Sequence, residues 1–158
     1  MTVDHHAFRA VLGRFASGVT VVTAFDSEGH DQGMTISAFC SVSLEPPLVL
    51  MCVDHSASIY ATLSAASHFV VNILSEGQEA IARRFAGQDP NRFDGIGYTR
   101  GIIGLPVLDE VLGYVECRTV ARNNAGDHDV IVGQVEVAES RDGKPLLYYR
   151  GGYAQLER

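Results

Sequence analysis

Lysine is almost missing from this chain: Lys144 is the only one among 158 residues, and the formal net charge is −7. No run of Lys or Arg exists, which argues against nucleic acid and against an anionic membrane surface as partners. An anionic ligand would have to be held by single arginines, hydroxyls and backbone amides. Long apolar runs are missing as well. No stretch approaches the ~20 residues needed to cross a bilayer, and the first six residues have neither the basic nor the apolar part of a signal peptide. The expectation is a cytoplasmic protein that does not associate with membranes. Cysteine is scarce and odd in number (Cys40, Cys52, Cys117), with no CxxC, each thiol lying in an apolar strand-like run. Small reduced thiols in a reducing compartment are expected. The histidines show no zinc spacing with one another or with the cysteines, so no metal is expected. A GxGxxG after the first strand, a GxxxxGK[ST] and a Gly-x-Ser-x-Gly are all absent, which removes the usual dinucleotide, triphosphate and nucleophile-elbow signatures. No pair of carboxylates is marked out for acid–base work.

What is present suits one globular domain with a sizeable core: hydrophobic residues make up 46% and charged residues 20% of the chain. The organising stretch is Gly33-Met34-Thr35-Ile36-Ser37-Ala38-Phe39-Cys40-Ser41-Val42-Ser43-Leu44-Glu45-Pro46-Pro47. Thr35, Ser37, Ser41 and Ser43 fall at odd positions, so an extended chain would place them on one face and apolar residues on the other. That face is either the wet side of an ordinary strand or a row of small donors suited to a flat polar cofactor or a phosphate.

Phe8, Val11, Leu12 and Phe15 recur at helical spacing, with Thr2 or Asp4 as the N-cap and Gly18 as the stop. Residues 19–25 are rich in β-branched side chains, Asp26-Ser27-Glu28-Gly29 is a turn, and a second strand returns from Gln32. Pro46 and Pro47 mark a corner. Residues 48–53 read as a buried strand. Ser56 or Ser58 caps a short helix with Ile59, Leu63 and Ala66 inward, and small hydroxyls ahead of a helix also suit a phosphate. Residues 68–74 read as a strand and 78–85 as a helix. Arg83 and Arg84 near its end are an anion clamp or a complement to the helix dipole. Residues 89–104 look irregular, a lid or partner-contact arm carrying Phe93, Ile96 and Tyr98. A strand over 111–121, a loop over 122–128, a strand over 129–137 and a turn at Arg141-Asp142-Gly143-Lys144 follow. Six to eight mostly consecutive strands with two or three short helices predict a mainly β fold with peripheral helices, a closed or split antiparallel barrel.

Taken in this order and spacing, the stretch from Gly33 to Leu50 closely resembles the signature of the short-chain flavin reductases, the reductase components of two-component flavin-dependent monooxygenases. Phe15-Ala16-Ser17-Gly18-Val19-Thr20-Val21-Val22-Thr23, Phe69-Val70-Val71-Asn72-Ile73-Leu74, Arg84-Phe85-Ala86 and Gly126-Asp127-His128 carry the resemblance along the chain. It implies a single flavin reductase-like domain over residues 1–158, an FMN-binding split β-barrel, and a homodimer with flavin near the subunit interface. It also implies NAD(P)H:flavin oxidoreductase activity: hydride passes from NADH, or NADPH, to FMN or FAD, and reduced flavin diffuses to a partner monooxygenase. The absence of an evident 2′-phosphate clamp favours NADH.

Carried over by position, the resemblance has Thr35, Ile36, Ser37 and Ala38 line the isoalloxazine and ribityl chain, with Cys40 and Ser41 nearby. Cys52, Val53 and Asp54 would approach the ring or ribityl group. Ser58 and Ile59 would stand at the phosphate, and Arg84 and Phe85 would complete that pocket. His128 would be the catalytic-site residue on the nicotinamide side, against the alternative of a simple turn histidine, and Tyr149, Arg150, Gly151 and Gly152 would help hold the pyridine nucleotide. Many relatives carry a serine where this chain has Ile36, which removes one hydroxyl. The rival classes are a non-enzymatic flavin or haem binder on the same barrel and an oxidase with tightly bound FMN.

Overall fold

The computed structural model describes residues 1–157. The elements in chain order are helix α1 (His5–Leu12), β1 (Ser17–Gly18), β2 (Thr20–Phe25), β3 (Asp31–Ile36), β4 (Phe39–Ser43), β5 (Leu48–Asp54), α2 (Tyr60–Ala65) and β6 (His68–Ile73). A 3₁₀ turn (Glu76–Gln78) then leads into α3 (Glu79–Ala86). After it come β7 (Tyr98–Arg100), β8 (Pro106–Leu108), β9 (Gly113–Ala125), β10 (His128–Ser140), β11 (Leu146–Tyr149) and β12 (Gly152–Gln155).

Seven strands form one sheet in the order β3-β2-β6-β9-β10-β5-β4, every neighbouring pair antiparallel. Its two edge strands, β3 and β4, are consecutive in the chain and separated only by Ser37 and Ala38. Two residues cannot span a flat seven-stranded sheet, because strands lie about 4.8 Å apart. The sheet must therefore curl until its edges meet. The Cys52 N–H donates to the Ala38 carbonyl (2.9 Å) and fixes that link against β5. The result is a split β-barrel, mainly β with helices at its periphery.

The organising stretch is thus a corner between two edge strands and not one strand. Its alternation resets at the corner: Phe39 pairs with Met51 on the core side, while Cys40 pairs with Leu50 on the outer side. Val42 and Leu44, expected on a core-facing side, stand exposed.

Inside the curl, Val22, Met51, Val53, Phe69, Val71, Cys117 and Ile131 are fully buried. Each such side chain contributes roughly 1.5–3 kcal/mol relative to exposure. β10 passes over Phe69 at Gly133. A Cβ there would lie 2.5 Å from Phe69 Cζ and 2.9 Å from Cys117 Cβ, which explains the glycine and the register shift beside it.

Several expectations shift at their boundaries. α1 is capped by Asp4, whose Oδ1 accepts from the Ala7 N–H (2.8 Å), but it closes at Gly13 and leaves Phe15 outside. The turn after β2 is held by Asp26, whose Oδ1 accepts from the N–H groups of Glu28 and His30 (both 2.9 Å). Neither Ser56 nor Ser58 caps α2, which starts after Ile59 without a side-chain cap. The expected loop over 122–128 is strand almost to its end. β9 and β10 run through a two-residue turn, Gly126-Asp127, with Ala125 opposite His128 and Gly126 at φ 66°. That is the tight hairpin geometry a leading glycine permits.

The segment expected to be irregular, 89–104, includes β7. β7 pairs with β8, and the hairpin is tied to the barrel by Thr23 Oγ1 donating to the Pro106 carbonyl (2.8 Å) and by Asn72 Oδ1 accepting from Leu108 N–H (2.9 Å). Arg100 adds a bidentate pair with Asp31 (2.6 and 2.8 Å). Phe93 stands edge-on to both Phe85 and Tyr98, at 5.1 and 5.6 Å between centroids.

Candidate functional site

Three hollows lie in sequence along β3 and its continuation. The first is a groove of about 650 Å³ at the Ser37–Ala38 corner, between α1 and the outer face of β4 and β5. Side chains two apart on a strand share a face. Val49, Met51 and Val53 therefore enter the core, and Leu50 and Cys52 turn outward into the groove, with Asp54 next on the same face. Cys40 joins them from β4, and Phe8, Leu12 and Phe15 form the opposite wall. The turn from β11 to β12 brings Arg150 (φ 51°) and Gly151 (φ 77°) to the rim, where the Arg150 N–H donates to the Gly13 carbonyl (2.9 Å). A largely apolar slot with a few hydroxyl, thiol and backbone groups suits a flat aromatic ligand.

The second hollow, about 270 Å³, includes Met34, Thr35, Asp54, Ser56, Ser58, Phe85 and Arg92 in its lining. Asp54 Oδ1 accepts from both the N–H and the hydroxyl of Ser56 (2.8 Å each), which holds its carboxyl below the usual aspartate range and fixes the loop. Thr35 donates its hydroxyl to the Ala82 carbonyl (2.6 Å), clipping β3 to α3.

Arg92 dominates this hollow. Its guanidinium is buried and donates to the Gly33 carbonyl (2.6 Å), to Ser58 Oγ (2.9 Å) and to the Gly87 carbonyl. All three acceptors are neutral. Burial pulls the guanidinium pKa down, and Asp89 is the charge that opposes the shift. A buried cation bonded to neutral oxygens is poorly compensated, and an anion entering the hollow would meet it in a charge-assisted contact.

The third hollow, about 420 Å³, lies between the start of β3 (Asp31, Gln32, Gly33) and residues 88–94, and it shares Ser58 and Arg92 with the second.

His128 begins β10, directly opposite Asp54, with its Nδ1 2.7 Å from Asp127 Oδ1. Asp129 points the other way. Its Oδ2 accepts from Tyr60 OH (2.7 Å), its Oδ1 lies 2.9 Å from His55 Nε2, and both contacts hold its carboxyl below the ordinary range. The His55 N–H donates to the Asp127 carbonyl (2.9 Å), so the turn that carries His128 is pinned from both sides.

The structure brings most of the sequence-predicted residues together. Ser37, Ala38, Cys40, Cys52, Arg150 and Gly151 line the groove. Thr35, Asp54, Ser58 and Phe85 line the second hollow, and Ile59 is part of the third. His128 flanks Asp54 without lining any of the three. Ile36 and Val53 are buried among the core side chains, so they reach the site through backbone alone. Ser41 is exposed on β4 away from the groove lining. Arg84 donates to the Asn91 carbonyl (2.8 Å) and lines none of the three hollows. Tyr149 and Gly152 flank the β11–β12 turn outside the lining, whereas Tyr148 is in it. Arg92 and Asp129 carry no functional mark in the sequence: Arg92 lies in a segment with no periodicity, and Asp129 reads as the first residue of a strand.

The family model described as "Flavin reductase like domain" matches residues 12–157. The reductase subunit HsaB of a flavin-dependent monooxygenase from Rhodococcus jostii is 38% identical over 156 residues, covering 98% of this chain and 80% of that protein. The FMN reductase (NADH) SmoA from Agrobacterium fabrum is 42% identical over 155 residues, covering 98% and 88%. Among solved structures, the NADH:FAD oxidoreductase SgcE6 from Streptomyces globisporus, in complex with NAD and FAD fragments, superposes with a TM-score of 0.91 at 34% identity, covering 99% of this chain and 97% of that one. The flavin reductase PheA2 in its native state gives a TM-score of 0.90 at 36% identity, covering 99% and 100%.

Proposed function

The chain belongs to the flavin reductase-like family, and from that premise we propose that its three-part site binds a flavin with the ring in the Ser37–Cys52 groove and the phosphate at Arg92. The protein is an NAD(P)H:flavin oxidoreductase that supplies reduced flavin for a monooxygenase. The whole chain acts as one flavin reductase-like domain. The observation that carries the placement is the buried Arg92 guanidinium, bonded only to neutral oxygens, one step along β3 from an apolar groove. A buried cation beside small hydroxyls suits a phosphate, and an apolar slot suits a flat ring.

When bound, the flavin accepts a hydride from the nicotinamide of NADH; the chain's own residues bind and orient. Leu50 and Phe39 exclude water from one side of the groove. The backbone at the Ser37–Ala38 corner and the Cys40 and Cys52 thiols offer neutral contacts, which suit a flavin that is released after reduction. Arg92 and Ser58 anchor the tail. His128, on the turn held by His55, Asp129 and Tyr60, positions the nicotinamide. Arg150 and Gly151 border the same groove on the side of α1.

A second copy of the chain completes the site. Phe8, Leu12 and Phe15 line the groove and are exposed, Phe15 at 82%, and Val42 and Leu44, at the end of β4 and just after it, are exposed as well. So much uncovered apolar surface around a ligand groove supports a homodimer interface. No helix among the described residues is long and apolar enough to cross a membrane. All three cysteines are unpaired, Cys40 at the surface, which supports a reducing cytoplasm as the site of action.

The test is equilibrium binding of FMN and riboflavin, which differ only in the phosphate. FMN should bind more tightly, by about 10- to 100-fold if Arg92 supplies charge-assisted hydrogen bonds of ~1.5–3 kcal/mol. Arg92→Gln should erase that margin and Arg92→Lys should keep part of it, with circular dichroism as the control for folding. Equal affinities for the two flavins in the native protein would contradict the placement.

A further inference from the structure

The segment from Asp54 to Tyr60 faces two ways. Asp54, Ser56 and Ser58 line the phosphate hollow, and Ser58 Oγ accepts from the Arg92 guanidinium (2.9 Å). His55 and Tyr60 of the same segment turn to β10 instead. His55 Nε2 lies 2.9 Å from Asp129 Oδ1, and Tyr60 OH donates to Asp129 Oδ2 (2.7 Å). The two rings meet edge to face, 5.0 Å between centroids. Asp129 is only 8% exposed, and each of its carboxylate oxygens holds one end of the segment.

The same segment holds the His128 turn. It starts at Asp54, the residue opposite His128 across β5 and β10, and the His55 N–H donates to the Asp127 carbonyl (2.9 Å). Between its ends the Ala57 N–H donates to the Asp54 carbonyl and the Tyr60 N–H to the Ala57 carbonyl (3.0 Å each). Turns bonded end to end leave little slack, so Ser58 and His128 are carried by one clasp with Asp129 at its centre.

We propose that Asp129 is a positioning residue that couples the two ligands: a phosphate in the hollow orders the 54–60 segment and, through Asp129, sets His128 for the nicotinamide. The inference rests on the flavin reductase reading above. The first ligand to bind bears the cost of ordering the shared segment, and the second finds it ordered. Such coupling is reciprocal, so FMN tightens the pyridine nucleotide by the factor by which the nucleotide tightens FMN. Riboflavin fills the ring groove but brings no phosphate to Ser58 and Arg92, so it stays outside the coupling.

The test uses NAD+, which has no hydride to give. Its dissociation constant would be measured by titration calorimetry on the protein saturated with FMN or with riboflavin, for the native chain, Asp129→Ala and Tyr60→Phe, with thermal melting as the folding control. The native protein should bind NAD+ about fivefold more tightly beside FMN than beside riboflavin, the low end of ordinary coupling between sites. NAD+ should tighten FMN by the same factor. Asp129→Ala should erase the difference. Tyr60→Phe removes one of the two contacts and keeps the other, so it should reduce the difference in part, and it carries the test if Asp129→Ala does not fold. A merely structural weakening would move the NAD+ constant alike with both flavins and leave their ratio in place. Equal NAD+ affinities beside the two flavins in the native protein would overturn the proposal. So would a ratio that persists in the variants, which would assign the coupling to direct contact between the bound ligands. FMN and NAD+ that bind without coupling would leave the reductase reading standing; a native protein that binds neither would overturn both.

Discussion

His128 and the three cysteines show how much a side chain's role depends on what surrounds it. His128 projects from a two-residue turn whose backbone is held by His55, and Asp129 ties His55 and Tyr60 together beneath it. His128→Ala should raise KM for NADH severalfold while the flavin dissociation constant stays put; an equal loss of both would remove His128 from the nicotinamide side. The thiols should separate by reactivity. Cys40 is exposed. Cys52 is half-buried, and its pKa is raised first by burial and then by Cys40 nearby. Cys117 is pushed up to about 12 by burial. Only the thiolate reacts, so iodoacetamide near neutral pH should modify Cys40 first, Cys52 slowly and Cys117 only on unfolding, with bound flavin slowing the first two. Rapid labelling of Cys117 in the folded protein would contradict the burial.

At this scale the sequence was partly legible. The residues around Ser37 stood out by their pattern and by a family resemblance. Arg92 did not, because a lone arginine in an aperiodic segment has no local mark, whereas Arg83 and Arg84 are adjacent at the end of a helical pattern. Only tertiary folding shows that Arg84 faces a backbone carbonyl and Arg92 faces the hollow.

Among the elements, strands were legible wherever alternation or β-branched runs persisted, as in β2, β5 and β6. They were not legible where polar residues continue a strand. Arg122, Asn123 and Asn124 look like loop, yet they extend β9 toward the Gly126 turn because β10 offers a continuous partner. The corner at Ser37–Ala38 was equally hidden, since nothing local says that two consecutive strands lie on opposite edges of one sheet. Gly133 marks how tightly these elements pack. Gly133→Ala places a methyl against Phe69 and Cys117 and should cost ~1–3 kcal/mol of stability. Urea denaturation would read this as a lower midpoint at an unchanged slope. A midpoint equal to that of the native protein would show that β10 can move away from Phe69.

The molecule as a whole is a curled sheet whose seam carries the proposed flavin groove, and the exposed side chains of Phe8, Leu12 and Phe15 line that groove. Light scattering on the purified protein should give twice the chain mass of 17.1 kDa, and Val42→Glu should shift it toward the single chain; a monomer at micromolar concentration in the native protein would contradict the interface. The mainly β barrel was legible from the order of strands, whereas its closure and its exposed rim were not, because both arise from contacts remote in sequence.

The central claim, a site that binds flavin for reduction by a pyridine nucleotide, is tested most directly by NADH oxidation with the purified protein, alone and with added FMN, FAD or riboflavin. The account predicts slow oxidation without added flavin and turnover that saturates with it, riboflavin being the weakest of the three for want of a phosphate to meet Arg92. A flavin-loaded protein that oxidises neither NADH nor NADPH, whatever flavin is supplied, would contradict it.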